Sequence, residues 1–126
     1  MNAENTKYLI EHFPNLYRGV DKPLTASLMG FGFECGDGWF ELIKELSEKL
    51  EPMGVEAIQV KEKWGGLRFY LVGGAPHEAW DLIEEAEAKS ETICEACGAP
   101  GEPRDRPWIH TLCDECDKLD RPIAQR

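Results

Sequence analysis

Apolar positions along this chain recur first at helical intervals, then at every second residue, then at helical intervals again. Tyr8, Leu9, Phe13, Leu16 and Tyr17 cluster around a short first helix, which Pro14 is expected to end or bend. A loop containing Gly19, Pro23, Gly30 and Gly32 follows. Trp39, Ile43, Leu46, Leu50 and Met53 then lie three or four residues apart, with Glu41, Lys44, Glu45 and Glu48 on the other faces. That pattern predicts a helix with Asp37 as its cap, closed by Pro52 and Gly54.

From Glu56 the period becomes two. Ile58, Val60 and Glu62 alternate with Gln59, Lys61 and Lys63, and Gly65-Gly66 supplies a turn. Leu67, Phe69 and Leu71 then alternate with Arg68, Tyr70 and Val72, so residues 56–72 read as a β-hairpin. Gly73-Gly74-Ala75-Pro76 breaks it and opens a third helix. Ala79, Trp80, Ile83, Ala86 and Ser90 form its inward stripe, and Asp81, Glu84, Glu85 and Glu87 its wet face. The hairpin is expected to pack Ile58, Val60, Leu67, Phe69 and Leu71 against the helices bearing Trp39 and Trp80.

The third helix runs almost directly into the strongest chemical signal. Cys94/Cys97 and Cys113/Cys116 are two Cys-x-x-Cys pairs with fifteen residues between them. Two such pairs complete a tetrahedral shell around one ion, and four thiolates point to structural zinc with no position left for water or substrate. Gly98, just after Cys97, suits the tight turn of a metal knuckle. Local disulfides or a redox dithiol are the competing readings. Neither pair sits in a βαβ context, and the amino terminus, with Glu4, Lys7 and Glu11, lacks the apolar region of a secretory signal. A cytoplasmic, reducing setting is expected, with Cys35 as an unpaired, buried thiol.

At 126 residues the chain has room for one modest core with a metal-held module attached. The predicted fold is α+β: helices on a small antiparallel sheet over residues 1–90, continued without a flexible linker by a zinc module over 91–126, of zinc-ribbon or treble-clef type. No segment approaches the roughly 20 apolar residues of a membrane span.

Charge narrows the partners. The net charge is −10, and the acid is spread: residues 1–89 carry nine Lys/Arg against sixteen Asp/Glu, residues 90–126 five against eight. That disfavours a protein built to neutralise phosphates. Lys61, Lys63 and Arg68, with Tyr70 beside them, form one local basic and aromatic cluster, read first as a solvated strand face. Arg104 and Arg106 are expected to pair with Glu102, Asp105 or Asp114, and Trp108 to fill the interior of the metal module. All five basic residues would serve the alternative function, nucleic-acid binding.

Enzyme readings lack residues. His110 is not needed by the metal, and no Ser, Asp or second His stands at a spacing that suggests a catalytic partner. A zinc deaminase needs His-x-Glu ahead of Pro-Cys-x-x-Cys, whereas here Glu78 directly follows His77 and neither cysteine pair follows a proline. His12, His77 and His110 are too scattered for a His-Asn-His nuclease, and no Gly-rich phosphate loop is present.

Gly36-Asp-Gly-Trp39, Val60-Lys-Glu-Lys-Trp-Gly-Gly-Leu-Arg-Phe-Tyr70, Cys94-Glu-Ala-Cys-Gly-Ala-Pro-Gly101 and Trp108-Ile-His-Thr-Leu-Cys-Asp-Glu-Cys116, in that order, resemble a family of small uncharacterised proteins of bacteriophages and prophages. The resemblance spans residues 36–116. Trp64 stands where such proteins commonly have phenylalanine. The resemblance implies an accessory gene product in a bacterial cytoplasm that interferes with a host system. Non-catalytic binding of a host or phage protein is therefore the expected function, as in an inhibitor of host defence. The acidic face with Glu84, Glu85 and Glu87 then suits a basic target; Lys61, Lys63, Arg68, Tyr70, Arg104, Arg106 and Trp108 are further candidate contacts.

Overall fold

A computed structural model describes residues 1–119; the last residues of the expected zinc module, 120–126, lie outside the described residues. Among the described residues the architecture is α+β, with a three-stranded sheet, a second two-stranded sheet and four α-helices. No helix among the described residues is long and apolar enough to cross a membrane.

Helix α1 spans Ala3–His12, with the Asn2 side chain accepting the Asn5 N–H at 2.7 Å as its cap. Helix α2 spans Phe40–Leu50 and buries Leu42, Ile43, Leu46, Ser47 and Leu50. Its entry differs from the expectation. Asp37 does not cap α2: its Oδ1 accepts the Asn2 N–H at 2.8 Å and the Asn5 side-chain amide at 3.1 Å, tying the start of α1 to this loop. A 3-10 turn over Asp37–Trp39 leads into the helix and places Trp39 fully inside, where its indole N–H donates to Ile93 O at 2.9 Å. Met53 falls in a second 3-10 turn, Glu51–Met53, and leaves the buried stripe because the α-helical phase ends at Leu50.

The hairpin forms as strands β2 (Ala57–Lys63) and β3 (Gly66–Leu71), antiparallel, with Lys61 opposite Arg68 and Val60 opposite Phe69. A short strand β1, Phe33–Glu34, runs parallel to β2 on its other side, so the sheet is mixed with order β1-β2-β3. Val60, Leu67, Phe69 and Leu71 point into the core as expected. Ile58 does not, because the pairing shifts register between Ala57 and Gln59 and turns Ala57 inward instead.

The turn sits one residue earlier than expected, at Trp64-Gly65, with Lys63 paired to Gly66. Gly65 fixes it: the Gly65 N–H donates to Glu62 Oε2 at 2.8 Å, and its carbonyl accepts from Thr111 Oγ1 at 2.6 Å. The pairing partners move by two residues, so the side chains from Gln59 to Leu71 keep their faces. The two central residues both have positive φ, 56° for Trp64 and 82° for Gly65, as a tight hairpin turn matching the sheet twist requires.

Helix α3, His77–Ser90, buries Ala79, Ile83, Ala86 and Ser90. Trp80, one residue off that stripe, lies about 100° round the helix and is 39% exposed rather than inward. The helix also covers the free edge of β3. Ser90 Oγ accepts the Leu67 N–H at 2.9 Å and Glu87 Oε2 the Phe69 N–H at 3.0 Å. Glu87 is thus a half-buried edge cap and not part of the wet face, where Glu84 and Glu85 remain. Blocking the edge satisfies strand donors and prevents further strand addition.

Three residues after α3 the chain enters the cysteine-bearing segment. It holds β4 (Glu102–Pro103), β5 (Thr111–Leu112), paired antiparallel, and α4 (Asp114–Leu119).

Candidate metal centre

Each cysteine pair is held by backbone before any ion is considered. In the first, Cys94 N–H donates to Ala99 O at 2.7 Å and Gly98 N–H to Cys94 O at 2.9 Å, a reversal that Gly98 completes at φ 86°. In the second, Cys113 precedes α4 and Cys116 lies in its first turn; the Cys116 N–H points at Cys113 Sγ, 3.4 Å away. The four sulfurs lie within 4.8 Å of one another.

Cys97 Sγ and Cys113 Sγ are 3.7 Å apart. That is near the edge of about 3.8 Å expected for a tetrahedron with metal–sulfur bonds of about 2.3 Å. It is far from the roughly 2.05 Å of a disulfide. All five cysteines are free thiols in this geometry. The donor set therefore fits one soft tetrahedral cation.

Ionisation follows the same logic. Burial opposes the Cys94 thiolate, yet the backbone N–H groups of Cys113, Cys97 and Ala96 bring its pKa down to about 7. Cys116 is pushed up, chiefly by its hydrogen bond to Cys113. Four thiolates this close repel one another, and a dication reverses that balance. Cys35 behaves differently: burial first, then the charge of Glu95, raise its thiol to about 12, consistent with an inert core residue.

The remaining candidate residues separate into two groups. Arg104 donates through Nε and Nη2 to Leu112 O at 3.1 and 2.8 Å and pairs with Asp114 at 2.9 Å, while Arg106 pairs with Asp117. Arg104 also approaches Glu102 at 3.6 Å. Both arginines thus brace the module internally. Lys61, Lys63, Arg68 and Tyr70 share the outer face of the sheet, with Lys61 and Arg68 directly opposed and Glu34 beside Lys61.

Trp108 contradicts its expected interior role, being 64% exposed in the loop between β4 and β5. Among the described residues the module's small interior holds Cys94, Glu95, Thr111 and Leu112, and Trp39 of the main core donates its indole N–H to Ile93 O just before the first knuckle. Trp64, which the sequence marked only as a departure from phenylalanine and not as a contact, is equally exposed at 64%. Gly65 packs so tightly on the loop that a Cβ there would lie 3.0 Å from Ile109 Cγ2. Trp64 and Trp108 are each one residue from that contact.

A second group of polar side chains was also missed. Glu62, Glu95 and His110 come together, with His110 Nδ1 3.2 Å from Glu95 Oε1. Burial raises the Glu95 pKa most, against the opposing Gly36 N–H and His110. One sign was available: Glu62 shares the strand parity of core residue Val60, an odd place for a carboxylate. Comparison with family models, with curated proteins and with solved structures gave no match.

Proposed function

We propose that this chain is a zinc-stabilised, non-catalytic phage or prophage accessory protein that docks on a host or phage protein in the bacterial cytoplasm. In this reading Cys94, Cys97, Cys113 and Cys116 hold one structural zinc. The order of knuckle, hairpin and helix, with the second pair at the helix start, favours a treble clef over a ribbon.

The observation that carries the binding role is the pair of exposed tryptophans flanking the contact between the hairpin tip and the module. Trp64 is held at φ 56°, a conformation that costs an L-residue about 1–2 kcal/mol. Backbone strain spent to hold a large apolar side chain in water supports a recognition role. Tryptophan is the residue type most enriched at the energetic centres of protein interfaces. Lys61, Lys63, Arg68 and Tyr70 on the sheet's outer face suit a partner with an acidic rim; the net charge of −10 and the tied arginines weigh against nucleic acid.

Affinity capture from a bacterial host lysate tests the reading, with wild type, a chelated sample and a Trp64→Ala/Trp108→Ala variant in parallel. A partner identified from wild type should then bind the purified chain directly, and each indole should contribute about 2 kcal/mol. Gel-shift binding of DNA or RNA, abolished by alanine at Lys61, Lys63 and Arg68, would replace this reading with the nucleic-acid one.

A further inference from the structure

Glu62, Glu95 and His110 come from three separate elements: the inward face of β2, the first cysteine knuckle, and the residue before β5. Each carboxylate has one oxygen anchored by backbone. Gly65 N–H donates to Glu62 Oε2 and Gly36 N–H to Glu95 Oε2, each at 2.8 Å. The other oxygen of Glu95, Oε1, lies 3.2 Å from His110 Nδ1.

The Glu95 backbone is clamped as well. Gly38 N–H donates to Glu95 O at 2.7 Å, and Glu95 N–H donates to Thr111 O at 2.9 Å. The approach is so close that a Cβ on Gly36 would lie 2.4 Å from Glu95 O, and one on Gly38 2.1 Å from Cys94 O. His110 is fixed through its carbonyl, which accepts the Arg104 N–H at 2.9 Å.

One ligand atom from each residue lies within 4.8 Å of the other two, and a cleft of about 230 Å³ lined by Gly36, Glu95, Ala96, His110 and Leu112 opens beside two of them, Glu95 and His110. Bonds of about 2.0–2.2 Å to oxygen or nitrogen need somewhat closer spacing. Metal binding would have to draw the three side chains together. An imidazole with two carboxylates suits a first-row transition ion better than magnesium or calcium. Three protein ligands beside a cleft leave coordination positions for water or an oxygen donor.

We infer that Glu62, Glu95 and His110 form a second cation site, distinct from the cysteine shell in every ligand atom, that takes a divalent transition metal with positions open to the cleft. Its backbone supports hold the ligands in place before the metal arrives, which lowers the ordering cost of binding.

Cobalt(II) is the probe, added to full-length chain already loaded with zinc and followed by calorimetry and visible absorption. One further ion per chain should bind, giving weak d–d bands without the intense charge-transfer band that cysteine ligands produce. Glu62→Gln and His110→Gln, with shell zinc still at one per chain, should each weaken cobalt by more than the roughly 10–100-fold seen for outer-shell changes. Lys63→Ala should leave it unchanged. No second ion on wild type, binding that carries the charge-transfer band, or affinity indifferent to both ligand variants would overturn the site.

Discussion

Trp39 and Trp108 are the same side chain in opposite circumstances. The first is wholly enclosed by the main core and donates its indole N–H to Ile93 O; the second stands 64% exposed over the cysteine module. The main core has Leu9, Leu16, Tyr17, Ile43, Leu50, Val60 and Phe69 fully or almost fully buried around the sheet. Among described residues the module offers little more than Cys94, Thr111 and Leu112 as interior. A segment that short cannot bury an indole, so its shape rests on sulfur geometry and backbone hydrogen bonds. The lesson is a division of labour: apolar area stabilises the first region, while the second has four clustered cysteines placed to hold a metal ion in place of a core.

The largest test of that division removes the ion. Chelation, or Cys97→Ser, should unfold the module while leaving much of the core protected in amide exchange. Apparent binding energies at structural zinc sites run to about 10–16 kcal/mol and count as folding energy. Protection that stays unchanged in the module would erase the distinction.

Next come two aromatic truncations. Phe69→Ala should cost about 3–5 kcal/mol in urea denaturation, since the ring is 1% exposed. Trp108→Ala should change stability by no more than about 0.5 kcal/mol. Equal costs would mean that the two regions bury aromatics alike.

How much of this was legible beforehand divides along the same line. Periodicity located α2, α3 and the hairpin, because burial repeats along a helix or strand, and spacing alone pointed to the four cysteines that cluster. What periodicity cannot carry is a single side chain answering distant backbone. Glu87 reads as a wet helix residue until β3's unpaired edge is known, and Asp37 reads as a cap until α1 is placed beside it. Strand β1, two residues long and parallel to β2, leaves almost no alternation to read. The Glu62–Glu95–His110 group joins residues up to 48 positions apart in sequence, which spacing rules for local motifs do not reach.

The joint between the regions gives the intermediate effect. Thr111 is fully buried with its hydroxyl on Gly65 O at 2.6 Å. Thr111→Val keeps the shape and removes the donor, and should cost about 1–3 kcal/mol through the unsatisfied carbonyl. A neutral result would show the hairpin tip and module to be independently placed.

The last effect runs the other way. Trp64→Gly relieves the positive φ and should stabilise the chain by about 1 kcal/mol or less, offset partly by the greater freedom of the unfolded glycine. The same variant should weaken the proposed protein partner. A clear loss of stability would indicate that the Trp64 indole supports the fold itself.

The most direct measurement is the metal content of the purified chain by native mass spectrometry, with thiol titration on the same sample. The account predicts one zinc per chain, with Cys94, Cys97, Cys113 and Cys116 protected until a chelator is added, and loss of the ion in Cys97→Ser. A metal-free chain whose module is fully folded, with all four thiols free to react, would contradict it.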